Sequence, residues 1–199
     1  HVVELLVLPH ETGAPVVDRL RALGPVSTIT GDLRDEAVVT RMLRHADAVL
    51  HAAGVVGTGE RDAQLMWEIN ARATECVLTR AVDEGLDPVV SVSSYSALFP
   101  PPTGVITPDT PTTDGRSTYA KTKAYADRVA RRLQNAGAPV VTTYPSSVVG
   151  PPFHTAVGVT ERGWQPLVHR KIAPRIRGGM QMIDVRDVAE GHVRLRSEE

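Results

Sequence analysis

A single cysteine, Cys76, stands in this 199-residue chain, so no internal disulfide can form. It sits in "ATECVLTRAV", a helical pattern that fits either a small buried apolar residue or a reactive thiol. The seven histidines show no HxxxH spacing and no CxxC is present, which removes the usual zinc frameworks; no metal site is expected. Lysine is scarce, at three residues against nineteen arginines. Aromatic residues make up only 4% of the chain. No apolar run approaches the roughly 18 residues needed to cross a bilayer, and no charged-then-apolar leader opens the chain, so a soluble, cytoplasmic protein is expected. The net charge of −1, with arginines scattered, offers no electrostatic case for nucleic acid or an anionic membrane. The Ala-, Val-, Arg- and Pro-rich usage resembles that of a GC-rich bacterial genome.

The residues that are present form an alternating pattern. Strand-like apolar runs occur at 2–8, 26–30, 47–51, 88–93, 139–144 and 180–183. Helical patterns at 13–23, 35–45, 63–84 and 117–136 separate most of them. This alternation predicts βαβ units on a parallel sheet, and the near-continuous β-branched run "VVSVS" suits a sheet covered on both faces. The length allows one α/β domain, taken as 1–199. Two segments interrupt the rhythm. Residues 99–116 carry five prolines and predict a long ordered loop; 150–179 predict an irregular segment on the substrate side, with only "PLVHRKIA" offering helix.

Two of the three lysines fall in "STYAKTKAYAD" (117–127), which places Tyr119 and Lys123 four residues apart on one predicted helix. A tyrosine can pass a proton to or from a substrate oxygen, but a free phenol with a pKa near 10 is a poor base at neutral pH. An ammonium one turn away favours phenolate and is expected to lower that pKa. Arginine's planar fork does not substitute for a compact ammonium, a reason for lysine in an arginine-preferring chain. Ser94, at the end of the predicted strand "VSVSS", lies where ligands meet parallel sheets and can steady charge on a substrate oxygen. Strand alternation sends Ser93 to the opposite face, while Ser96 shares the side of Ser94 if the strand continues.

Several motifs occur in an order that resembles the extended short-chain dehydrogenase/reductases, the NAD(P)-dependent epimerase/dehydratase type. They are "GDLRD" (31–35), "VLHAAG" (49–54), "INARAT" (69–74), "VSVSS" (90–94), "YAKTK" (119–123), "TYPSSVVGPP" (143–152) and "MIDVRDVAEGH" (182–192). The resemblance implies a Rossmann-like doubly wound fold. It also implies a small alcohol, ketone or sugar-nucleotide substrate, with NAD or NADP as cofactor, and it allows a homodimer as the assembled form. Ser94, Tyr119 and Lys123 take the catalytic roles, with Lys123 also on the ribose. Asp32, Leu33, Ala52, Ala53, Gly54, Asn70, Pro145 and Val148 take cofactor-side positions, joined by Tyr119 and Lys123.

Alternatives stay open at individual positions. Asp32 fits an adenine-side residue or a helix cap, and Asn70 a cofactor contact or a solvated helix position. Asp184 and Arg186 fit a pocket lining or a plain salt bridge, and Trp164 a substrate wall. Nothing matches G-x-G-x-x-G, so the resemblance implies a fragment lacking the family's first strand and Gly-rich loop, and most of the family's chain beyond "DVRDVA". The loss is expected to leave two strand edges unpaired. The first visible strand ends "LLVLPHE" without a clear acid or arginine to choose between NAD and NADP; Glu11 serves only if that strand runs longer. A non-catalytic dinucleotide-sensing regulator on the same fold, or an inactive fragment, are the rival readings.

Overall fold

The computed structural model describes residues 2–57, 60–171 and 178–195. Strands and helices alternate: β1 (Val3–Val7), α1 (Pro15–Leu23), β2 (Val26–Thr30), α2 (Glu36–Leu43) and β3 (Val49–His51) come first. A continuous helical stretch follows, made of α3 (Ala63–Met66), a π-helical turn (Trp67–Ala73) and α4 (Thr74–Asp83). Then come β4 (Val89–Val92), α5 (Thr118–Asn135), β5 (Val140–Thr143), β6 (Ser147–Val149), α6 (Val159–Arg170), β7 (Met182–Asp184) and α7 (Val185–Arg194).

Every strand pairing is parallel. Among the described residues the strands form three groups: β1–β2, β3–β4–β5 and β6–β7. β1 therefore has a partner on one side only, and so does β3. In the doubly wound order one more strand lies between two such edges. Val3 on β1 is 41% exposed and Leu50 on β3 55%. Among the described residues β2, β5, β6 and β7 also have a partner on one side only, so unpaired edges are not confined to the two expected ones.

The core forms where α2, α4 and α5 cover the central strands. Val39, Leu43, Val77, Leu78, Ala81, Leu86, Val89, Ala130 and Val140 make one buried cluster. Leu33 packs against it. Asp35, not Asp32, caps α2, its side chain accepting from the Ala37 N–H at 2.9 Å.

The segment 150–179 is less irregular than its sequence suggests. α6 starts at Val159 and takes in Pro166 and Trp164, while the last residues of "PLVHRKIA" lie outside the described residues. The proline masks the helical pattern, because its missing N–H and its ring are usual signs of a helix end. α6 and α7 have no buried residues. The strand β6, inside "TYPSSVVGPP", has no alternating pattern of its own and forms by pairing with β7. Glu11 lies in a 3₁₀ turn (Pro9–Glu11), past the end of β1. Among the described residues no helix is long and apolar enough to cross a membrane, and no group of three or more His, Cys, Asp or Glu converges to hold a metal.

Candidate active site

The carboxyl end of β4 and the first turn of α5 build the site. β4 ends at Val92; Ser93 and Ser94 continue extended, and Ser94 caps a short 3₁₀ turn over Tyr95–Ala97. The Ser94 hydroxyl oxygen accepts from the Ser96 hydroxyl at 2.9 Å and from the Ser96 N–H at 3.3 Å. Its own proton remains to be donated, and the Tyr119 phenol is a group on which this hydroxyl acts. Ser93 is as buried as Ser94, and its hydroxyl has no partner among the described residues. Ser96 thus orients Ser94 rather than competing with it.

Ser117 caps α5 by accepting from the Ala120 N–H at 3.1 Å, so Tyr119 falls in the first turn and Lys123 one turn later. Lys123 is 8% exposed. Its Nζ donates to the Val92 carbonyl at 3.3 Å and lies 6.0 Å from the centroid of the Tyr119 ring. Burial pushes this ammonium down to about 8, and no carboxylate offsets it. Burial also raises the Tyr119 phenol, with Ser94 pulling the other way and Tyr95 adding to the rise. The expected lowering of the phenol by Lys123 is therefore not what the geometry gives. Desolvation of the phenolate outweighs an ammonium that stands off the ring.

The loop after β3 forms the facing wall. Ala52, Ala53 and Gly54 are exposed there. A Cβ on Gly54 would stand 3.3 Å from Asn70 Oδ1, close enough to crowd that amide slightly, and 3.5 Å from Lys123 Nζ, an ordinary contact, so loop, amide and ammonium meet at this point. Asn70 is fully buried. Its Oδ1 accepts from the Val55 N–H at 2.7 Å, and its Nδ2 donates to the Val55 carbonyl at 2.8 Å and toward Thr122 Oγ1 at 3.3 Å. Thr122 in turn donates to the Tyr119 carbonyl at 2.8 Å. The solvated-helix reading of Asn70 does not hold: its buried amide clamps the loop after β3 to α5.

The remaining expected positions scatter. Asp32 is engaged by Arg34, whose Nη2 donates to it at 2.6 Å and holds its carboxyl below the usual range; Arg34 also reaches Glu68 at 3.1 Å. Leu33 is half-buried, its side chain packed against the core cluster. Pro145 lies next to the site, its carbonyl accepting from the Tyr95 N–H at 3.2 Å. Val148 pairs with Ile183 in the β6–β7 ladder. Asp184 caps α7 and pairs with Arg186 at 2.6 Å, the salt-bridge alternative. Cys76 is half-buried, and burial raises its thiol, which argues against a reactive thiolate.

One network escaped sequence reasoning. Asp127 has a fully buried side chain that accepts from Tyr144 Oη at 2.6 Å, Arg131 Nε at 2.9 Å and the Thr112 hydroxyl. Arg131 also donates to the Thr110 carbonyl at 2.8 Å. The Pro-rich loop 99–116 is thereby tied to α5 and to the end of β5. Asp127→Asn is expected to cost about 1–3 kcal/mol, because an amide nitrogen would face donors. Faster amide exchange in 107–114, together with a lower denaturation midpoint, would check this.

Residues 1–198 match the NAD dependent epimerase/dehydratase family. The chain belongs to this family. A sterol demethylase protein B of Methylococcus capsulatus is 26% identical over 164 residues, 79% of this chain and 48% of that protein. A double mutant of the dTDP-glucose 4,6-dehydratase DesIV from Streptomyces venezuelae, crystallised with NAD, superposes with a TM-score of 0.73 at 26% identity, covering 96% of this chain and 62% of that one. The Bordetella bronchiseptica enzyme WbmH in complex with NAD+ gives a TM-score of 0.76 at 19% identity, over 100% of this chain and 73% of that one, a likeness of fold alone. The chain spans about half the length of the curated relatives it matches. Its α/β architecture is the Rossmann-like one of this epimerase/dehydratase family.

Proposed function

We propose that this member of the family interconverts an alcohol and a ketone, on a sugar nucleotide or a small carbonyl compound, with NAD or NADP as hydride carrier. The observation that supports this best is the grouping of Tyr119, Lys123 and Ser94 beside the exposed small residues Ala52–Gly54. These residues suit a flat dinucleotide: the loop gives an unobstructed backbone surface, and Lys123 Nζ supplies donors for ribose hydroxyls at its edge. When bound, the dinucleotide gives or takes the hydride at the substrate carbon.

The chain's own residues handle the oxygen and its proton. Ser94, held as an acceptor by Ser96, turns its proton to the substrate oxygen. Tyr119, kept protonated by burial, gives its phenolic proton to that oxygen as the carbonyl becomes an alcohol. In the reverse direction the phenolate takes the proton back. The raised phenol thus favours the reducing direction at neutral pH, and the oxidising direction should gain on the alkaline side.

A panel of ketones and sugar nucleotides, followed by nicotinamide absorbance with each dinucleotide, tests the proposal. Turnover of at least one of them is expected. Tight dinucleotide binding with no absorbance change across the panel would instead favour a sensing role.

A further inference from the structure

The helix between residues 63 and 83 is not uniform. Seven residues, Trp67–Ala73, adopt π-helical hydrogen bonding, which inserts one residue into the spiral and is seldom found without a reason. Two side chains that the proposed reaction does not use meet at this wide turn. Thr74, the first residue after it, sends its hydroxyl back to the Ile69 carbonyl at 3.4 Å, spanning the widened turn. His51, the last residue of β3, brings Nε2 within 2.9 Å of the same hydroxyl oxygen. Both residues are buried, at 6% and 4% exposure.

A threonine hydroxyl has one proton to give. If it serves Ile69, the contact with His51 is a hydrogen bond only when Nε2 carries the imidazole proton. We infer that His51, as the Nε2–H tautomer, and Thr74 form a positioning pair that holds the wide turn open and so fixes Asn70 against the loop after β3. The consequence comes from helix geometry. Closing the turn to α-helical bonding winds out one residue and rotates the preceding segment by about 100° relative to α4. Asn70 would then leave Val55, and the Ala52–Gly54 wall would lose its fixed distance from Lys123. β3 and the loop after it thus grip the helix at two points, His51 on Thr74 and Val55 on Asn70. The imidazole is neutral at pH 7, since burial and the Lys123 charge hold it down to about 4.

The inference deepens the proposed reading of the site but is tested without any dinucleotide, so either can fail alone. Long-range nitrogen–proton correlation spectra of the unaltered chain at pH 7 should show His51 protonated at Nε2. A proton at Nδ1 would overturn the inference. Exchange of the Val55 amide should quicken at least about tenfold in Thr74→Val and stay near the original rate in Thr74→Ser, which keeps the hydroxyl. Equal exchange in the two variants would also overturn it. Because the tautomer is read on the unaltered chain, the inference remains decidable if Thr74→Val does not fold.

Discussion

Lys123→Met is expected to stabilise the chain by on the order of 3 kcal/mol at pH 7, although it removes a residue of the proposed site. Lys123 carries its charge into a buried position with a single carbonyl as hydrogen-bond partner, and burial pulls its pKa from the ordinary 10.5 to about 8. Between those values the unfolded chain binds more protons at this residue than the folded one. Stability therefore rises with pH from about 8 to 10.5, and below 8 the full cost of the buried ammonium is carried. Methionine fills a similar volume without charge, so the gain at pH 7 should come with a flatter alkaline profile. Denaturant melts of both proteins at pH 7 and pH 10 check this; equal midpoints at pH 7 would show that water or a mobile carboxylate already relieves the charge.

Much of this arrangement is legible in the sequence. β-branched runs mark β1, β2, β4 and β5, and the serine-ended strand followed by Tyr119 and Lys123 places the site's three side chains in order. The rest depends on contacts that no local pattern encodes. The wide turn at Trp67–Ala73 reads as plain helix in the sequence, because seven residues are too few to fix a period on their own. Asn70 stays between two readings there because its partners, Val55 and Thr122, lie 15 and 52 residues away. Asp127 looks like an ordinary polar residue of α5 until Tyr144 and Thr112 close over it. Leu33 shares a motif with Asp32 but packs against the core, while Asp32 pairs with Arg34. The effect of Lys123 on Tyr119 departs from expectation for a physical reason: spacing along a helix gives proximity, while desolvation depends on everything packed around the pair.

The central claim is that Tyr119 exchanges the proton that accompanies hydride transfer. Its phenol sits in the first turn of α5, half-buried, with the Ser94 hydroxyl acting on it and no carboxylate among the groups that shift it. Tyr119→Phe removes one oxygen and leaves the ring, Lys123, the Asn70 clamp and the Ala52–Gly54 wall in place. The rate of the chemical step should fall by about 10²–10⁴-fold, the usual contribution of a positioned acid, with dinucleotide affinity almost unchanged. A single-turnover assay of Tyr119→Phe beside the unaltered protein, with reduced dinucleotide bound and a ketone substrate added, reads both quantities at once. The account predicts normal binding with hydride transfer slowed at least about 10²-fold; hydride transfer at the unaltered rate would contradict it.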